Sequence, residues 1–134
     1  MTIYNPIKIG KAKYGGQKFD DGITFTITSG VLGDVMAAGA TAGAAGTALI
    51  CPSGAEPIGV LATKDADNLG AVYSFEKVAL VKYSGTPLYG VVGVQGDGLG
   101  GVNFVTSGTA GSLKLVCIGI GTMNGVNVAA VVRQ

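Results

Sequence analysis

Ile23-Thr24-Phe25-Thr26-Ile27-Thr28 alternates apolar and β-branched polar residues without interruption, the period at which successive side chains of a strand point to opposite faces. It predicts a strand with one buried face. Ser29-Gly30 ends this run, and Gly33-Asp34 turns the chain again before Val35-Met36. Short apolar runs follow at Leu49-Ile50-Cys51, Ile58 to Ala62, Leu88 to Val94, Val102 to Val105, Leu113 to Ile118 and Val126 to Val132, divided by turn residues. Ala71 to Tyr83 is long for one strand and predicts either two strands or one with a bulge near Glu76-Lys77. Ala37 to Ala48 holds only Ala, Gly and Thr. Each interior Gly there would cost a helix about 1 kcal/mol, and no large side chain offers a face to bury, so the tract reads as a loop. Its Gly39/Gly43 spacing sits in a span too short and Thr-rich for a membrane helix pair. Short strands with Gly-rich turns and no amphipathic helix predict an all-β fold, a small barrel or sandwich.

The layout also repeats. Pro57-Ile58-Gly59-Val60-Leu61-Ala62-Thr63 and Cys117-Ile118-Gly119-Ile120-Gly121-Thr122 are each followed by an Asn/Gly turn and an apolar run. Upstream lie two Gly-led openings, Gly33-Asp34-Val35-Met36 and Gly85-Thr86-Pro87-Leu88-Tyr89. We read one small β unit used twice, about 33–84 and 85–134, inside a single β domain at 22–134. Residues 1–21 read as an extended N-terminal arm, in which Lys8, Lys11, Lys13 and Lys18 interleave with Tyr4, Ile7, Ile9 and Tyr14 and are broken by Pro6, Gly10, Gly15 and Gly16. Such a segment buries too little continuous apolar area to fold alone. It is either a solvated tail or an extension that orders on a partner, for instance by adding a strand to a sheet edge.

Composition narrows the function classes. At 134 residues the chain is about one domain long. Charged residues are 13% with a formal net charge of +1, which leaves no overall field to draw in nucleic acid or anionic lipid. Hydrophobic residues are 48% and the mean hydropathy is +0.49, so apolar area beyond the core is expected to face another protein, in a homo-oligomer or on a larger body. No uninterrupted apolar run is long enough to span a membrane, and Met1-Thr2-Ile3-Tyr4-Asn5-Pro6 lacks the basic-then-apolar layout of a signal segment. Cys51 and Cys117 are expected to be buried reduced thiols.

Little in the chain favours chemistry. It has no His, which removes the usual general base near neutrality and the commonest transition-metal ligand. Asp20, Asp21, Asp34, Asp65, Asp67 and Asp97 all stand beside turn residues, where Asp serves backbone hydrogen bonding. Gly96-Asp97-Gly98-Leu99-Gly100-Gly101 matches the dinucleotide fingerprint as a string, but the β-like Val102-Asn103-Phe104-Val105 follows where that fingerprint needs a helix. It reads as a hairpin or surface loop, and as the first place to look for a receptor or glycan site. Asp65-Ala66-Asp67-Asn68 lacks the Gly spacing and terminal Glu of a calcium loop. Neither Cys has a basic neighbour in sequence to activate it. A ligand-binding barrel would need an aromatic-lined interior, whereas the four Phe and five Tyr lie largely near turns or in the arm. No catalytic, cofactor or metal site is expected.

With these readings in place, the chain resembles the capsid decoration, or cement, proteins of tailed bacteriophages. Gly46-Thr47-Ala48-Leu49-Ile50-Cys51-Pro52-Ser53-Gly54-Ala55-Glu56-Pro57-Ile58-Gly59-Val60-Leu61-Ala62 is similar to the lambda-type head decoration segment in which an early strand, a Ser/Gly turn and an Ile/Val-Gly-Ile/Val-Leu-Ala strand succeed one another. Tyr73-Ser74-Phe75-Glu76-Lys77-Val78-Ala79-Leu80-Val81 resembles the strand that closes that unit. The doubled plan is similar to a wider group of small phage structural proteins, and the likeness covers roughly 33–134. It implies a β-tulip-like fold and no catalysis. It implies a virion protein assembled in the bacterial host cytoplasm, on the outer capsid surface, clamping neighbouring major capsid protein subunits, often as a homotrimer. In that setting Tyr4, Ile7, Ile9 and Tyr14 would supply buried area, and Lys8, Lys11 and Lys13 would meet acidic capsid side chains. Another assembly component, such as a head fibre base, a tail-tube protein or a surface-layer module, shares the same needs.

Overall fold

The computed structural model describes residues 8–9, 22–39 and 46–134, and every regular element among them is a strand. In chain order these are β1 (Lys8–Ile9), β2 (Gly22–Ile27), β3 (Val35–Ala38), β4 (Thr47–Ile50), β5 (Gly59–Leu61), β6 (Leu69–Tyr73), β7 (Ala79–Ser84), β8 (Gly90–Gly96), β9 (Val102–Val105), β10 (Leu113–Met123) and β11 (Val126–Val132). The all-β expectation holds.

The strands form two closed rings with one connectivity. In the first, β2 pairs parallel with β4, β4 antiparallel with β3, β3 with β5, β5 with β6, and β6 returns to β2. In the second, β7 pairs parallel with β9, β9 antiparallel with β8, β8 with β10, β10 with β11, and β11 returns to β7. Strand for strand, the second barrel repeats the first. Even the single parallel contact recurs, with Ile27 opposite Ala48 in one ring and Tyr83 opposite Val102 in the other. Closure removes the free edges that an open five-strand sheet would leave.

The pairings frame the repeat as 22–73 and 79–132 rather than 33–84 and 85–134. Each unit starts one strand earlier than its Gly-led opening, because β2 and β7 each bridge two neighbours and without them neither ring closes. Ala71 to Tyr83 is accordingly two strands: β6 ends the first barrel and β7 begins the second, with Phe75 between them. The two Ile-Gly motifs fall on or beside equivalent strands but not at equivalent registers. Gly59 and Val60 pair with β3, whereas Gly119 and Ile120 lie beyond the reach of β8 and pair with β11 alone. The Ala/Gly tract also departs from a plain loop. Ala37 and Ala38 belong to β3 and Thr47 and Ala48 to β4, where Ala48 is fully buried, its methyl group filling a narrow interior.

The barrels share one junction. Val35, Ala37 and Cys51 of the first unit and Phe75 of the connection pack with Val81, Val92, Val94, Val102, Leu115, Cys117, Ala129 and Val131 of the second in a continuous core. Ile27, Met36, Ala48, Leu61 and Val72 fill the first barrel separately. Residues of β3 therefore alternate between two interiors, Met36 inward and Val35 and Ala37 toward the partner unit, as strand geometry requires. Backbone hydrogen bonds cross the junction at Gly54 N to Gly96 O (3.0 Å), Gly96 N to Ala55 O (2.9 Å) and Val35 N to Gly100 O (2.9 Å).

Candidate functional site

The Gly96–Gly101 loop is a structural lock. Asp97 Oδ1 accepts the N–H groups of Leu99 (2.7 Å) and Gly101 (2.9 Å), and its Oδ2 accepts the Ser84 hydroxyl (2.8 Å). Burial alone would raise the carboxyl pKa, yet these bonds outweigh it and hold the group below its ordinary value. Beside it Asp34, only 4% exposed, accepts Lys82 Nζ at 3.0 Å on Oδ1 and Val31 N at 2.9 Å on Oδ2. Gly100 has φ +90°, and a Cβ there would lie 2.4 Å from Asp34 Oδ1. The glycines of the fingerprint-like string thus let a loop of the second barrel close on a half-buried ion pair. Asp97 is engaged within the second barrel and Asp34 joins the two barrels through Lys82, and the strand β9 follows the loop directly.

Other reactive groups are equally committed. Cys51 and Cys117 are free and buried, and burial pushes both thiols up, away from the nucleophilic thiolate. Asp65 caps its own turn, its Oδ1 accepting Asp67 N (2.8 Å) and Leu69 N (3.0 Å). Among the described residues no group of three His, Cys, Asp or Glu side chains could hold a metal ion. Among the described residues there is no helix long and apolar enough to cross a membrane.

What the structure does present is an apolar sheet face. Because inward positions of β7, β8, β10 and β11 carry the core, the alternate positions look outward, and there aliphatic residues cluster at one end of the strands, with Lys82, Gln95 and Lys114 at the other. Val91 lies opposite Val116, and Val116 opposite Val132, giving one row across three strands. Leu80 lies opposite Ala130 one strand further on. Such cross-strand partners sit about 5 Å apart, so their side chains touch and the patch is continuous. Leu80 is 51% exposed, Val91 46% and Ile118 56%, with Val78 and Tyr89 also exposed at its margin. Sequence reasoning saw these residues as strand formers but had no way to tell which face of each strand would be covered.

Of the residues proposed to contact a capsid, Lys8 and Ile9 form β1, which pairs antiparallel with β2 of the same chain, Lys8 opposite Thr24 and Ile9 opposite Ile23. Tyr4, Ile7, Lys11, Lys13 and Tyr14 lie outside the described residues. Compared with known proteins, the chain matches no family model, no curated protein and no solved structure.

Proposed function

We propose that this chain is a structural virion protein that docks on the outer surface of an assembled phage capsid and strengthens contacts between neighbouring major capsid protein subunits. One observation carries the reading: on the outward face of β7, β11, β10 and β8, Leu80, Val91, Val116, Ile118 and Val132 form an aliphatic cluster, bordered by Lys82 and Lys114, that no part of the described chain covers. Exposed apolar patches of that kind mark protein contact sites, and interface centres are depleted of charge. The resemblance of the 46–62 and 73–81 segments to decoration proteins names the class of partner.

The energetic logic is linkage. A protein that binds the assembled lattice and not free subunits stabilises the lattice in proportion to its occupancy. Many modest contacts per particle suffice. The rigid two-barrel body suits this task, since little conformational entropy is lost on docking.

Co-sedimentation with expanded, decoration-free phage heads tests the role. Saturable binding to heads, none to unassembled capsid subunits, and a higher melting temperature of the loaded heads are expected. Equal binding to unassembled subunits, or none to heads, would refute it.

A further inference from the structure

The last hairpin of the second barrel outgrows the barrel. Pairing of β8 with β10 stops at Cys117 opposite Gly90, and β7 pairs with β11 only over Val128 to Val131. Among the described residues, Gly119–Met123 therefore bond to β11 alone, as a two-stranded ribbon whose root carries a register shift between Cys117 and Gly119. Asn124 (φ 53°) and Gly125 (φ 78°) form its two-residue turn. In such a turn the flanking pair, Met123 and Val126, exchanges both hydrogen bonds, and bonded and non-bonded pairs then alternate. Ile120 and Thr122 consequently direct their backbone N–H and C=O groups away from β11.

The first barrel supplies an internal comparison. Its equivalent hairpin joins the three-residue β5 to β6 through Lys64-Asp65-Ala66-Asp67-Asn68, a charged tip of the kind that discourages strand pairing. The second hairpin is the opposite. From Leu115 to Val132 the sequence has no charged residue and no Pro, and Met123 (51% exposed) and Val126 (43%) stand open near its tip.

We infer that the outer edge of β10 from Ile118 to Met123 is a strand-addition site, occupied by the same edge of a second copy of this chain running antiparallel across a two-fold axis. The chemistry favours a like partner. An edge without charge offers nothing for a foreign charged strand to recognise, and it is complementary to itself. Pairing centred on Gly121 sets Ile120 of one copy against Thr122 of the other, the two residues with outward backbone groups. Gly121 has no atom within 4 Å of its Cβ position, so a side chain introduced there meets no obstacle within its own chain. Self-pairing of this kind closes at two copies, whereas the family resemblance implies three. The inference stands independently of the capsid reading.

Sedimentation velocity across a concentration series tests it on the full chain. Wild type is expected to form a dimer. Gly121→Lys and Gly121→Glu each place like charges directly opposite at the axis, and each alone is expected to be monomeric. An equal mixture of the two should recover the dimer, a rescue that mere structural damage would not give, while inaccessible Cys51 and Cys117 thiols report that each variant is folded. A wild-type chain that stays monomeric to about millimolar concentration, a trimer, a dimer unaffected by either charge, or failure of the mixture to recover it would each overturn the inference.

Discussion

Asp34 is the residue on which the junction turns. Its carboxylate is almost wholly buried, and both oxygens are engaged, by Lys82 and by the Val31 amide. Lys82 is still 42% exposed at its side chain, so part of the attraction is screened and the larger cost of losing Asp34 is the orphaned amide and the displaced ammonium. Asp34→Ala is expected to lower stability by about 2–3 kcal/mol in urea denaturation. By contrast, Glu76→Ala breaks only the half-exposed contact to Arg133 at 3.2 Å and should change stability by less than about 1 kcal/mol. Asp97 makes a different prediction, in pH. Its folded pKa is depressed, so its contribution is present above the ordinary value of 3.8 and is lost as pH falls through the folded pKa. Asp97→Asn should therefore be less stable than wild type near neutrality, with the gap narrowing on acidification below that value; a gap independent of pH would show that the charge is not what matters. At the thiols, Cys51 and Cys117 should resist alkylation in the native protein and react only on unfolding.

Among elements, the β8 terminus shows how closely the barrels approach. A Cβ on Gly96 would lie 2.5 Å from Cys51 Sγ and 2.5 Å from Pro52 O, and the backbone partners cannot yield without breaking the Gly54 and Ala55 hydrogen bonds to the same residue. Gly96→Ala is expected to cost about 1–3 kcal/mol, measurable as a lower urea midpoint at unchanged slope. The strands themselves were legible where alternation was strong, as at Ile23 to Ile27, and where turns were punctuated by Gly and Asn, as before β6 and β11. Asn68 and Asn124, the non-Gly residues with positive φ among the described residues, mark those two turns. The outer half of β10 was not legible, because Gly119 and Gly121 weaken its strand signal although β11 supplies the pairing. The Asp34–Lys82 contact was beyond reach for another reason. It joins residues 48 positions apart, and only barrel closure brings them together.

For the whole molecule, duplication explains both the fold and the division of labour. Two rings of one connectivity share a core through Phe75 and Val35, so the chain is expected to unfold as a single cooperative body. Phe75→Ala should remove about 3–5 kcal/mol while preserving one transition by far-UV and near-UV signals. Among the described residues, the first barrel exposes Val31 and Leu32 in a loop, whereas the second carries exposed aliphatic residues on a strand face. The most direct test of the account is a binding isotherm on decoration-free expanded heads for wild type and for Leu80→Lys/Val116→Lys, two changes on the outward face that leave both core clusters intact. Loss of at least about tenfold in affinity, or about 1.4 kcal/mol, with an unaltered urea midpoint is the predicted result; undiminished binding by the folded double variant would contradict the claim that this face meets the capsid.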